Sequence, residues 1–112
     1  MSNKIDIQKL GGWSVAKVIG DITIAVLPEL RKEILGLIDN KEYRIIMNFE
    51  YVNYIDSSGI GLLIELLKKA SENNGELALT NMNPHCMKVF TITRLDRIFK
   101  IYPDVQNIIR TS

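Results

Sequence analysis

One short segment carries the residues that could do chemistry: Asp56, Ser57 and Ser58, followed by Gly59 and Gly61. The segment follows an apolar, strand-like run and precedes an amphipathic helical pattern, so Ser57 is expected at or beside a helix start. Backbone N–H groups there lack partners within the helix, and small side chains allow a close approach. Two interpretations stay open. Either Asp56 and Ser57 cap the helix beside a tight glycine turn, or the first turn is a place where another protein's surface or a nucleotide phosphate approaches closely.

The rest of the chain offers little support for a catalytic serine. The G-x-S-x-G pattern of a hydrolase is absent, and the only histidine, His85, is predicted to be an exposed residue opening a different helix. His85 and Cys86 are too few ligands for structural zinc, and Cys86 is expected to be a buried apolar residue. No Walker-type glycine loop with lysine occurs. We expect no enzyme, cofactor or metal site. An enzyme using Ser57 as its nucleophile stays as a third hypothesis.

Apolar periodicity and the glycine and proline positions predict the elements that place Ser57. Gly11-Gly12 joins two short apolar runs as a hairpin, and Pro28 suits the first turn of a helix. Strands that alternate with helices are typical of parallel sheets with right-handed crossovers. The predicted strands and helices are strands at 4–10, 13–19, 44–49, 76–80 and 98–101, and helices at 28–40, 58–73, 83–93 and 103–109.

This order predicts one α/β domain over residues 1–112, with a mixed, mostly parallel sheet of four to five strands and about four helices. One side of the second helix is the predicted core stripe, formed by Ile60, Leu63, Ile64 and Leu67. Leu62 and Leu66 flank that stripe. They belong either to a wide buried face or to a partly exposed apolar patch that docks a partner.

The loop before the first helix, Ile24-Ala-Val-Leu27, is more apolar than a solvated loop should be. Such a loop either packs on the core or forms part of a contact surface. Leu27 is predicted to pack. The environments of Ile24 and Val26 stay open.

Composition narrows the class of protein without identifying a function. The chain has 112 residues, of which 46% are hydrophobic and 24% charged, and its net charge is +1. A near-neutral domain lacks the electrostatic footprint of a nucleic-acid binder. One cysteine excludes an internal disulfide, no apolar stretch is long enough to span a bilayer, and no secretion signal is found. We expect a soluble, cytoplasmic protein that contacts neither nucleic acid nor membrane.

The run Ile55-Asp-Ser-Ser-Gly-Ile-Gly-Leu-Leu63 resembles the signature of the STAS family of anti-sigma factor antagonists. Leu95-Asp-Arg-Ile-Phe-Lys-Ile-Tyr102, Gly20-Asp21 and the Asn48-Phe49 strand end match the same family in the same order. The resemblance covers nearly the whole chain and implies a STAS-like fold. In that family the serine directly after the aspartate is phosphorylated by a partner kinase that is itself the anti-sigma factor. By position this serine is Ser57.

The resemblance implies a protein-binding phospho-switch. In its dephosphorylated form the chain would bind an anti-sigma factor kinase and so free a sigma factor. A serine phosphatase is a further expected partner, and the chain is expected to be a monomer or a weak dimer. The residues assigned to the partner surface are Asp21, Thr23, Asp56, Ser57, Ser58, Gly59, Gly61 and Leu62.

The chain departs from the family pattern at Thr23, where the family often has an acidic residue beside the serine. Asp21 is a possible substitute, although its side chain should point elsewhere. This departure keeps a second function open. The chain would then be a STAS scaffold subunit of a stress-signalling or lipid-transport complex, without phosphorylation.

Overall fold

The structure is a computed structural model that describes residues 5–110. Its element order is the predicted one, and the α/β class with a mostly parallel sheet is confirmed. Lys4, the predicted first residue of the first strand, lies outside the described residues. The elements are β1 (Ile5–Leu10), β2 (Trp13–Ile19), α1 (Leu27–Asp39), β3 (Arg44–Tyr51), α2 (Ser57–Glu72), β4 (Glu76–Thr80), α3 (Pro84–Ile92), a 3₁₀ turn (Leu95–Arg97), β5 (Lys100–Tyr102) and α4 (Val105–Ile109).

The five strands lie in the sheet in their order along the chain, β1-β2-β3-β4-β5. Strands β1 and β2 form the predicted antiparallel hairpin, and every later neighbour pair is parallel. Gly11 and Gly12 make the hairpin turn with φ of 55° and 83°, a conformation that glycine adopts without steric cost. The carboxyl ends of β2, β3, β4 and β5 therefore meet at one edge of the sheet, where α2 begins.

Helices cover the two faces of the sheet unequally. Because successive strand residues point to opposite faces, Ala16, Met47 and Leu79 face α1, α2 and α3 across the main core. On the other face a smaller cluster contains Ile46 and Ile108, the latter from α4. None of the helices within residues 5–110 has the length and apolarity needed to cross a membrane.

The inward face of α2 differs from the predicted stripe. Its buried residues are Gly59, Leu62, Leu63, Leu66 and Ala70. Of the four predicted core positions only Leu63 is fully buried, and Ile64 is 40% exposed. The helix packs against both β4 and α1, which widens its buried face beyond one stripe. Leu62 is 4% exposed, so its assignment to the partner surface is wrong, and the wide buried face is correct for Leu62 and Leu66.

The last strand also begins later than predicted. Ile98 N donates to Leu95 O at 3.0 Å, which closes the 3₁₀ turn and leaves Ile98 outside the sheet. Arg94 precedes this turn with φ of 64°, a left-handed conformation uncommon for residues other than glycine. Strand β5 therefore starts at Lys100.

Gly59 fixes the first turn of α2 against the sheet. An isolated parallel bridge between Ile22 and Ile55 extends the pairing beyond β2 and β3. A Cβ atom on Gly59 would lie 2.6 Å from Ile22 Cγ2 and 2.9 Å from Ile55 Cγ1. The assignment of Gly59 to the partner surface is therefore wrong, because this residue is buried and its missing side chain allows close packing inward. Gly61 faces solvent, and no atom outside the adjoining turns of its own helix lies within 4 Å of the position of its Cβ.

These two glycines provide a matched test of the packing. Gly59→Ala should lower the free energy of unfolding by about 1–3 kcal/mol, because the added methyl group forces Ile22 or the helix to move. Gly61→Ala, two residues along and on the open face of the helix, should raise it by about 0.5–1 kcal/mol through the higher helix propensity of alanine. Urea unfolding followed by circular dichroism measures both. Equal stability of the two variants would contradict the close contact at Gly59.

Candidate functional site

Two chain segments meet at the carboxyl edge of the sheet to form the site. One is the connection from β3 to α2, which carries Asp56 and Ser57, and the other is the connection from β2 to α1. Ile22 N donates to Tyr54 O at 2.9 Å, and Asp56 N donates back to Ile22 O at 3.0 Å. These backbone bonds hold the two connections side by side, so Ile24 lies next to the start of α2.

The Asp56 carboxylate links the same two segments through its side chain. Asp56 is the N-cap residue of α2, and its Oδ1 accepts hydrogen bonds from Ser58 Oγ at 2.6 Å and Gly59 N at 3.0 Å. Its Oδ2 accepts from Ile24 N at 3.0 Å. Hydrogen bonds to the ionised form lower the pKa of Asp56, the Ser58 hydroxyl contributing most and the Gly59 amide next. The group stays a carboxylate near neutral pH.

The two serines differ in what their hydroxyls do. Ser58 is half-buried, and its hydroxyl is held by Asp56. Ser57 is exposed at the first position of α2, and its hydroxyl bonds to none of the other described residues. The capping function therefore belongs to Asp56, and Ser57 is left as the accessible hydroxyl at the helix start. A phosphoryl donor could reach the hydroxyl of Ser57 more directly than that of Ser58.

Neither Asp21 nor Thr23, the other polar residues predicted for this surface, forms a hydrogen bond to Ser57. Asp21 is exposed, and its Oδ1 accepts from Asn53 N at 3.3 Å, so its carboxylate points to the neighbouring loop as expected. Thr23 is half-buried, and its carbonyl accepts from Val26 N at 3.0 Å in the turn before α1. Asp56 is thus the carboxylate that lies directly beside Ser57 along the chain.

The surface around Ser57 also contains apolar residues, which the sequence predicts only in part. Ile24, whose environment the sequence does not decide, is 71% exposed beside the Asp56 cap. Leu27 is half-buried against the main core, which confirms the prediction that it packs, and Val26 is also half-buried. The spacing of α2 places one residue per turn on its outward face, and these exposed residues are Ser57, Gly61, Ile64 and Lys68. Ser57 therefore heads a solvent-facing stripe that includes an isoleucine.

The sequence also singles out His85 and Cys86 as residues that could do chemistry. His85 is exposed as predicted, with its ring centroid 6.0 Å from that of Tyr54. Cys86 is buried as predicted, and burial, followed by the charge of Asp21, raises the pKa of its thiol. Within residues 5–110, no cluster of three or more His, Cys, Asp or Glu side chains could hold a metal ion.

The Asp56 contacts predict a specific pH dependence. Because folding lowers its pKa, ionised Asp56 stabilises the fold above the unfolded pKa of about 3.9, and this contribution is lost as the pH falls through the folded pKa. The stability difference between wild type and Asp56→Asn should therefore shrink on acidification. By NMR, the Ile24 and Gly59 amides should shift with the Asp56 titration. Ser58→Ala should raise the pKa of Asp56, whereas Ser71→Ala on the same helix should leave it unchanged. An unaltered pKa in Ser58→Ala would contradict the assigned contact.

A known protein family and several curated relatives match most of this chain. The family model described as STAS domain matches residues 4–108. BtrV of Bordetella bronchiseptica, provisionally named an anti-sigma factor antagonist, is 28% identical over 98 residues, which cover 88% of this chain and 84% of BtrV. The anti-sigma-B factor antagonist of Staphylococcus aureus is 29% identical over 85 residues, covering 76% of this chain and 79% of that protein.

Solved structures show the same fold. A Thermotoga maritima protein, provisionally named an anti-sigma factor antagonist, superposes with a TM-score of 0.91 at 22% identity, covering 97% of this chain and 94% of that one. The Bacillus cell fate determinant SpoIIAA in its phosphorylated form gives a TM-score of 0.74 at 24% identity, covering 96% and 99%. The family model spans almost the whole chain, including both segments of the site, and the chain belongs to the STAS domain family.

Proposed function

We propose that this chain is an anti-sigma factor antagonist, a cytoplasmic binding regulator whose docking to its anti-sigma factor is controlled by phosphorylation of Ser57. The names of the Bordetella and Staphylococcus relatives support the regulatory class. The observation that carries the phospho-switch is the exposed Ser57 hydroxyl at the first position of α2, beside a carboxylate already engaged in capping. In this proposal the chain is a kinase substrate and a phosphatase substrate, and not an enzyme.

The unphosphorylated surface suits close docking. Ser57 and Gly61 present small, neutral groups on successive turns, and Ile64 and Ile24 supply apolar contact area beside them. Lys68 extends the same helix face with a charge at its rim. Interfaces commonly combine an apolar centre with such a polar rim. A partner surface that fits this face must come close to the Ser57 hydroxyl.

Phosphorylation changes the electrostatics of the same face. A phosphoserine carries about −1.5 to −2 charges at neutral pH. In the free protein, the helix start and surrounding water accommodate this charge. In the complex, the phosphate would lose its hydration beside the Asp56 carboxylate and would be repelled by any partner carboxylate facing it. A loss of about 3 kcal/mol is enough to weaken binding more than a hundredfold.

Thr23 favours a second candidate function. Because Thr23 brings no carboxylate to the β2–α1 connection and Asp21 bonds to Asn53, this connection offers less acidic character than the family pattern. The chain could then act as an unphosphorylated STAS scaffold in a larger stress-signalling or transport complex. Affinity purification from the native cell separates the two functions. The switch requires a kinase-like anti-sigma factor among the recovered partners, and the scaffold requires a transporter or a large assembly.

Phosphorylation with a cognate anti-sigma factor kinase and ATP tests the acceptor directly. Wild type and Ser58→Ala should each incorporate phosphate on Ser57, located by mass spectrometry, and Ser57→Ala should incorporate none. Ser58→Ala is expected to be phosphorylated with altered efficiency, because Asp56 loses a contact. Phosphate on Ser58, or on neither serine, would reject the assignment of Ser57.

A charge mimic tests the effect on docking separately from folding. Ser57→Asp should weaken binding to the anti-sigma factor by about tenfold or more, since a single added charge replaces the larger phosphate charge. Its unfolding temperature should stay within a few degrees of wild type, because the Ser57 side chain is exposed and an acidic group suits a helix start. Ser71→Asp at the other end of α2 is the control and should bind like wild type. A large loss of stability in Ser57→Asp would favour a structural role for the serine.

A further inference from the structure

The β5 edge of the sheet carries an apolar depression that the Ser57 site does not use. Strand β4 separates β5 from β3, the strand that leads to Ser57. The depression has a volume of about 270 Å³ and is lined by Met82, Met87, Ile101, Tyr102 and Pro103. Methionine side chains are flexible and polarisable, so they adapt to apolar side chains of differing shape. The depression can therefore accept an apolar side chain from a partner.

The strand beside this depression is the last strand at one edge of the sheet. Lys100–Tyr102 pairs with β4 on one side, and no strand within residues 5–110 pairs with its other side. An exposed strand edge is a template for an added strand from another chain, in which backbone hydrogen bonds supply affinity and pockets for alternate side chains supply specificity. The edge and the depression together fit an extended segment.

The net charge of residues 84–110, which include β5, indicates which kind of partner segment would bind at this edge. Residues 84–110 contain five basic and two acidic residues, a net charge of +3, whereas residues 5–83 contain eight basic and eleven acidic residues, a net charge of −3. Lys88 and Arg97 are exposed on α3 and on the 3₁₀ turn before β5. Ile98, which directly follows that turn, is 52% exposed. This part of the chain is thus basic in net charge and carries an exposed apolar residue, with Asp96 and Asp104 as its acidic residues and Lys100 already paired with Glu76.

We propose that this surface, the basic edge, binds an extended protein segment in which apolar residues are flanked by acidic ones. The basic edge is defined by β5, the depression beside it, Lys88, Arg97 and Ile98. The added segment pairs with β5, an apolar side chain enters the depression, and its carboxylates face the two cations. A second copy of this chain fits poorly, because pairing two basic edges brings like charges together.

A synthetic peptide with a Val-Leu-Val core between pairs of glutamates tests the proposal by NMR titration. The largest amide shift changes should fall on Ile101, Tyr102 and Met87. The double variant Lys88→Glu/Arg97→Glu should bind this peptide about fivefold or more weakly, because two favourable charge contacts become repulsive. Raising the salt concentration should reduce the difference between variant and wild type. Ser57→Asp should leave peptide binding unchanged, which separates this result from the phospho-switch.

Two controls test whether the charges of Lys88 and Arg97 determine peptide binding. The variant Lys32→Glu/Lys41→Glu carries the same change in net charge on exposed positions of α1 and of the turn that follows it, and should bind the acidic peptide like wild type. A peptide with lysines in place of the glutamates should bind the wild type more weakly than the acidic peptide. Equal binding of the two peptides, or shift changes away from β5, would overturn the proposal. Self-association through β5, or binding to phosphatidylglycerol vesicles in place of the acidic peptide, would overturn it too.

Discussion

The Asp56 carboxylate is the contact on which the functional surface depends. One of its oxygens caps α2 through Ser58 and Gly59, and the other holds the backbone of Ile24, 32 residues away in sequence. A helix start and a loop from different parts of the chain are thereby fixed relative to each other. The contact also explains why the two serines differ, since Asp56 engages one hydroxyl and leaves that of Ser57 exposed. An accessible nucleophilic group is thus presented on a rigid support.

In the proposed switch, a local charge controls binding without a change of fold. The inward face of α2 is anchored by close packing at Gly59, and its outward face carries Ser57 and Ile64 in solvent. A phosphate on the outward face has no core contact to disrupt, so its effect falls on whatever docks there. The basic edge at β5 lies beyond β4 and shares none of these residues. One small domain could therefore engage two partners independently, one of them under phosphate control.

Much of this structure can be predicted from short-range features of the sequence. The Gly11-Gly12 hairpin, the order of strands and helices, and the position of Ser57 at a helix start follow from turn chemistry and periodicity. The orientation of α2 could not be predicted in the same way, because its buried face is set by packing on both α1 and β4. The bond from Ile24 to Asp56 joins residues far apart in sequence, and no periodic pattern encodes it. Its only sequence signal was an unusually apolar loop before α1.

The claim that phosphate on Ser57 blocks docking can be tested on one protein sample, in its phosphorylated and its dephosphorylated state. The affinity of the purified phosphoprotein for its anti-sigma factor would be determined by calorimetry before and after treatment with a serine phosphatase. The account predicts binding weaker by about a hundredfold or more in the phosphorylated state, with full recovery once the phosphate is removed. Equal affinity in the two states would contradict it.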